Sequence, residues 1–159
     1  MSVAFTREAD AEAAAADLPD RPVSPHPNLV TEAGLAAIEA ELASARAART
    51  AAQTGGEVSA DRTAMARATR DLRYFASRRA SAQLVAFEPG LPIARFGASV
   101  TFEREDGRRQ TFRIVGEDEA DPAKGSVSYV SPLARILNGK RVGDTAVLAG
   151  QEIEIIAID

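Results

Sequence analysis

The stretch Val115-Gly116-Glu117-Asp118-Glu119-Ala120-Asp121-Pro122, followed by Ser128-Tyr129-Val130-Ser131-Pro132-Leu133-Ala134-Arg135 and Gly139-Lys140-Arg141-Val142-Gly143-Asp144, decides how the C-terminal half folds. Ala120-Asp121-Pro122 reads as a turn, because proline presets φ and steers the residue before it away from helix. The surrounding acids, Glu117, Asp118, Glu119 and Asp121, read as a solvated loop rather than a metal site. Residues 125–130 suit a strand. Pro132 fits the first turn of a short helix, with Ser131 as its N-cap and Gly139 as its stop. Upstream, residues 98–103 and 110–115 alternate apolar and polar side chains across Arg104-Glu105-Asp106-Gly107-Arg108, the pattern of a hairpin turning at Asp-Gly. Downstream, Thr145–Leu148 and Gln151–Ile158 supply the last strands. Residues 91–159 are thus expected to form an α+β domain, an antiparallel sheet with one short helix packed on it.

Before this domain the apolar period is helical. Thr31 suits the cap of a helix whose Leu35, Ile38, Leu42 and Ala45 are three and four residues apart and share one stripe. Thr54-Gly55-Gly56 breaks the pattern, and a second helix is expected from about Ser59, carrying Met65, Ala68, Leu72, Phe75 and Ala82. Together, residues 29–86 predict an antiparallel helical hairpin with Ala-rich faces that let the two backbones approach. Arg79 interrupts the second stripe, so the seam either ends there or Arg79 snorkels. Residues 1–28 read as a tail or tether, because residues 18–28 hold four prolines in eleven positions. His26, the single histidine, reads as an exposed loop residue.

Composition excludes several functions. The 159 residues contain no cysteine, which rules out disulfides and thiolate metal sites, and no apolar run is long enough to span a bilayer. Residues 1–8 lack the features of a signal peptide, so the expected location is cytoplasmic. A formal charge of −4 argues against a protein whose main task is to coat nucleic acid, which leaves local contacts with RNA or DNA. Nothing in the pattern calls for an oligomer, and a monomer is expected.

The three C-terminal blocks, in this order and spacing, resemble the C-terminal domain of the bacterial Gre transcript-cleavage factors (GreA/GreB). Leu29-Val30-Thr31-Glu32-Ala33-Gly34-Leu35 is similar to the Thr-x-x-Gly start of that family's coiled coil. The resemblance implies an FKBP-like domain that docks at the rim of the RNA polymerase secondary channel, with Asp118, Ser131, Pro132 and Leu133 on the docking face. It implies a coiled coil that presents acids at its tip to the polymerase active site, where they help hold a second Mg²⁺ and position a water. The polymerase itself then hydrolyses backtracked RNA. A member of this family is therefore no enzyme and has no cofactor of its own, at most sharing the polymerase's Mg²⁺.

Two departures from the family pattern set the expected function. Its tip reads approximately Gly-Asp-Leu-Ser-Glu-Asn, and the local match is Gly56-Glu57-Val58-Ser59-Ala60-Asp61. Glu57 falls on the first acid. The second becomes Ala60, with Asp61 beside it, a displacement of about 100° around a helix axis. Each arm is also shorter by roughly two turns, on the order of 10 Å at 1.5 Å per residue. The expectation is a Gre-like regulator with weak or absent stimulation of cleavage. The alternatives are a competent cleavage cofactor using Glu57 and Asp61, or an FKBP-fold adaptor similar to the Rnk-type relatives. Acids at a helix start also favour the helix with no metal involved. Arg62, Arg67, Arg70, Arg73 and Arg78, with Arg79, read either as a solvated face or as contacts to phosphate or to acidic polymerase surface. Prolyl isomerase chemistry is not expected, since a chain with 5% aromatics offers no obvious aromatic-lined pocket.

Overall fold

The computed structural model describes residues 18–54 and 58–159, with side chains from residue 62 onward in the second stretch. It resolves into two compact units. One comprises the segment up to Pro25 together with Ile38–Ser81, and the other comprises His26–Ala37 with Ala82–Asp159.

In the first unit lies most of the helical hairpin, α1 (Glu32–Thr54) and α2 (Val58–Ser81). The predicted stripe on α1 is buried at Ile38, Leu42 and Ala45, and it extends to Ala52. On α2 Ala68 is buried, while Met65, Leu72 and Phe75 are half-buried. Arg79 Nε donates to Glu39 Oε1 at 2.8 Å, joining the end of α2 to the beginning of α1 as an antiparallel hairpin requires. Arg79 therefore stays at the surface, and its neighbour Arg78 is the buried one, only 2% exposed.

Residues 18–25 depart from the expected tether. They have no regular secondary structure, as their prolines dictate, but they lie on α2. Asp20 Oδ1 accepts from Arg73 Nη1 at 3.1 Å, and the Arg21 guanidinium stands 3.9 Å from the centre of the Tyr74 ring. A tether needs a segment without partners, and here Asp20 and Arg21 find complementary groups on the helix.

In the second unit a five-stranded sheet runs in the order β5-β4-β3-β7-β6, formed by β3 (Ser99–Arg104), β4 (Arg109–Val115), β5 (Ser126–Ser128), β6 (Thr145–Leu148) and β7 (Gln151–Ile158). The predicted hairpin forms, with Phe102 opposite Gln110, and the last two strands pair as a second one, with Leu148 opposite Gln151. The sheet is nevertheless mixed rather than wholly antiparallel. β5 pairs parallel to β4, with Arg113 opposite Ser126, because the loop after Val115 carries the chain back along β4 through a short 3-10 turn at Pro122–Lys124 before the strand begins. The short helix α3 (Pro132–Leu137) places Ala134 and Leu137 in a core with Val100, Phe102, Ile114, Ile153 and Ile155.

A second, two-stranded sheet joins the start of α1 to the segment after α2. β1 (Leu29–Val30) pairs parallel with β2 (Gln83–Leu84), and the ladder is extended by the Val85 N–H donating to the Val30 carbonyl. Sequence periodicity did not indicate this pair, since two residues are too few to show a period of two.

Candidate functional site

The Ser131-Pro132 turn is built as its residues dictate. Ser131 Oγ accepts from the Ala134 N–H at 3.2 Å, and Pro132 occupies the first helical position, where its missing N–H costs nothing. Pro132 is exposed and Ser131 half-exposed at the head of α3. Leu133 belongs in part to the interior, because it packs against the core cluster rather than standing clear of it. Asp118 is exposed on the loop after β4. Of the four residues predicted on a docking face, Pro132 and Asp118 present the most open side chains.

The acidic loop also reaches the cap of α1. Glu119 Oε2 accepts from Thr31 Oγ1 at 2.6 Å, and the same hydroxyl accepts from the Gly34 N–H at 3.0 Å, so the helix cap of α1 is held by the loop after β4. Gly34 leaves room for that carboxylate, since a Cβ there would lie 2.6 Å from Glu119 Oε2. Gly116 is constrained in the same way, because any Cβ on it would run into the Leu29 carbonyl. The Thr-x-x-Gly and Val-Gly-Glu-Asp-Glu motifs thus meet and form one joint. Among the described residues no group of three His, Asp or Glu stands in metal-binding reach.

Beside this joint a cleft of about 260 Å³ is lined by Leu29, Phe96, Ile114, Tyr129 and the Ala134, Arg135 and Asn138 positions of α3 and its C-terminal end. Phe96 and Tyr129 meet edge to face, 5.8 Å between ring centres, and Tyr129 donates to the Pro27 carbonyl at 2.5 Å. Two of the chain's few aromatic rings converge here. Composition alone concealed this, because a low aromatic count does not report where those aromatics sit.

The arginines of α2 do not form one solvent face. Arg62 and Arg67 are exposed; Arg73 is exposed but bonded to Asp20; Arg70 is half-buried, with Nε 3.2 Å from Asp71 Oδ1. Arg78 is buried and is withdrawn from any basic surface, a placement that spacing could not reveal because a charged residue on a helix normally faces water. Of the tip acids, Glu57 and the side chain of Asp61 lie outside the described residues.

The mixed sheet, the short capped helix and the Gly116 joint define a small α+β domain. Residues 92–159 match the family model described as transcription elongation factor, GreA/GreB, C-term. Among curated proteins, the transcription elongation factor GreB of Neisseria meningitidis serogroup B is 42% identical over 98 residues, covering 57% of this chain and 59% of that protein. The transcription elongation factor GreA of Hyphomonas neptunium is 54% identical over 56 residues, 35% of this chain and 36% of that one. The chain thus spans less than two thirds of either relative's length. Among solved structures, GreA factor homolog 1 (Gfh1) of Thermus thermophilus aligns over 84% of this chain and 99% of that one, at 21% identity and a TM-score of 0.40. The family model and both of these relatives carry the description of a GreA or GreB transcription elongation factor.

Proposed function

We propose that this protein is a Gre-like regulator that binds RNA polymerase at its secondary channel and modulates elongation, with weak or absent stimulation of transcript cleavage. The observation that carries the proposal is the GreA/GreB C-terminal domain over residues 92–159, with Pro132 and Asp118 exposed on it. In this reading the globular unit supplies the docking surface and the hairpin enters the channel. Helices of 23 and 24 residues give arms of about 35 Å at 1.5 Å rise per residue. Metal coordination tolerates errors of only a few tenths of an ångström, so arms roughly two turns short would leave Glu57 and Asp61 away from a polymerase-held Mg²⁺. The protein acts as a channel occupant and not as a hydrolase, in the cytoplasm, as a monomer.

The test is RNA cleavage in a backtracked elongation complex, with the wild type, a Glu57→Ala and Asp61→Ala double variant, and a cleavage-competent Gre factor as competitor. The expected result is no stimulated cleavage by either form and inhibition of the competitor by both. Cleavage that the double variant loses would overturn the length reasoning and establish a true cleavage cofactor. Absence of both effects would remove the polymerase channel as the site of action.

A further inference from the structure

Asp71, Tyr74 and Phe75 lie within one turn and a half of α2, and a single guanidinium faces all three. The Arg21 Cζ stands 3.9 Å from the Tyr74 ring centre and 5.0 Å from that of Phe75, with Arg21 Nη1 3.5 Å from Asp71 Oδ1. The two rings are set edge to face at 82°, with centres 5.1 Å apart, which places the guanidinium against both. Arg70 Nε also bonds to Asp71 Oδ1, at 3.2 Å, and so fixes the carboxylate. Next to this cluster Asp20 meets Arg73 at 3.1 Å. A planar delocalised cation stacks on aromatic faces and pairs with a carboxylate at the same time, which a lysine ammonium does poorly. Pro19 and Pro22 flank Asp20-Arg21, and their fixed φ lowers the entropy lost when the segment docks.

We infer that Asp71, Tyr74 and Phe75 on α2 form a receptor for a guanidinium group, and that residues 18–25 are a strap that keeps it filled with the chain's own Arg21. The ligand class is an extended, arginine-bearing peptide segment. Any partner segment of that chemistry must first displace Arg21, so the strap sets the threshold for binding at this face. The inference stands independently of the polymerase reading, because it uses only contacts within the hairpin unit.

The chain has two tyrosines, so ring resonances of Tyr74 report on the strap and those of Tyr129 serve as the internal control. In the full chain, Arg21→Ala should shift the Tyr74 ring signals and leave those of Tyr129 in place, and Arg21→Lys should fall close to the alanine variant. A peptide of residues 18–25, added to the Arg21→Ala chain at roughly millimolar concentration to match the effective concentration of a tethered segment, should return Tyr74 toward its wild-type position. The same peptide with alanine in place of Arg21 should not. Unchanged Tyr74 signals in Arg21→Ala would overturn the strap. Shifted signals that neither peptide restores, or that both restore equally, would overturn the guanidinium receptor.

Discussion

Replacing Thr31 by valine preserves the shape of the side chain and deletes one oxygen that serves two partners. Gly34 N–H donates to it at 3.0 Å, and it donates to Glu119 Oε2 at 2.6 Å. Losing a threonine cap costs about 1 kcal/mol, and a hydrogen bond to a charged group contributes about 1.5–3 kcal/mol. Thr31 is 4% exposed, so water cannot readily take the place of the hydroxyl, and a total loss of about 2–4 kcal/mol is expected. Urea unfolding followed by circular dichroism measures it. A double-mutant cycle with Glu119→Ala isolates the shared term, for which a coupling of about 1–2 kcal/mol is expected between groups in direct contact. A loss below about 0.5 kcal/mol, the range of an unremarkable surface change, would refute the joint as a source of stability. So would a coupling of zero, because the two residues would then act through unrelated contacts.

Other consequences are equally open to measurement. Gly116→Ala should lower stability by about 1–3 kcal/mol, since its Cβ meets the Leu29 backbone, which has no rotamer with which to yield; an unchanged urea midpoint would contradict that. Ala149 has φ +50 and is followed by Gly150 at φ +79 in the two-residue turn between Leu148 and Gln151, so Ala149→Asn should stabilise by about 1 kcal/mol and raise Tm. The Asp106 carboxyl is held below its ordinary value of 3.8, chiefly by the Arg108 backbone N–H at 3.0 Å and then by the Arg108 side chain. Because the folded value is the lower one, its stabilising contribution is present above 3.8 and lost as pH falls through the folded value; a carboxyl carbon titration with a midpoint at or above 3.8 would contradict this. In a polymerase pull-down, Asp118→Arg with Pro132→Lys should abolish capture with an unchanged circular dichroism spectrum. Leu133→Asp should instead unfold the domain in part, by about 2–5 kcal/mol, because that side chain packs against the core.

Much of the architecture was legible because its signals are local. Ile38, Leu42 and Ala45 recur at helical spacing, residues on either side of Asp106-Gly107 alternate, and Ser131-Pro132 announces a helix start. What escaped the sequence is what joins distant residues. Thr31 meets Glu119 across 88 positions and Arg73 meets Asp20 across 53, separations at which no periodicity operates. The direction of β5 was hidden too, since a three-residue strand shows neither alternation nor orientation. Ser131 and Pro132 occupy the capping positions that their chemistry predicted. Arg78 was misplaced because helical spacing marks faces without stating which face is wet. Leu133 was placed on the docking face by resemblance alone, and its share in the core depends on what lies beneath it.

The β1–β2 ladder has a consequence for how such a chain can diversify. Leu29 opposite Gln83 and Val30 opposite Leu84 bring the two ends of everything from Thr31 to Ala82 side by side, like the rims of a socket. An insert whose entry and exit are already pinned together can gain or lose paired turns at its far end without disturbing the register of the sheet that carries it. The length of the insert is thereby decoupled from the sheet that carries it, and one such frame can hold inserts of different length.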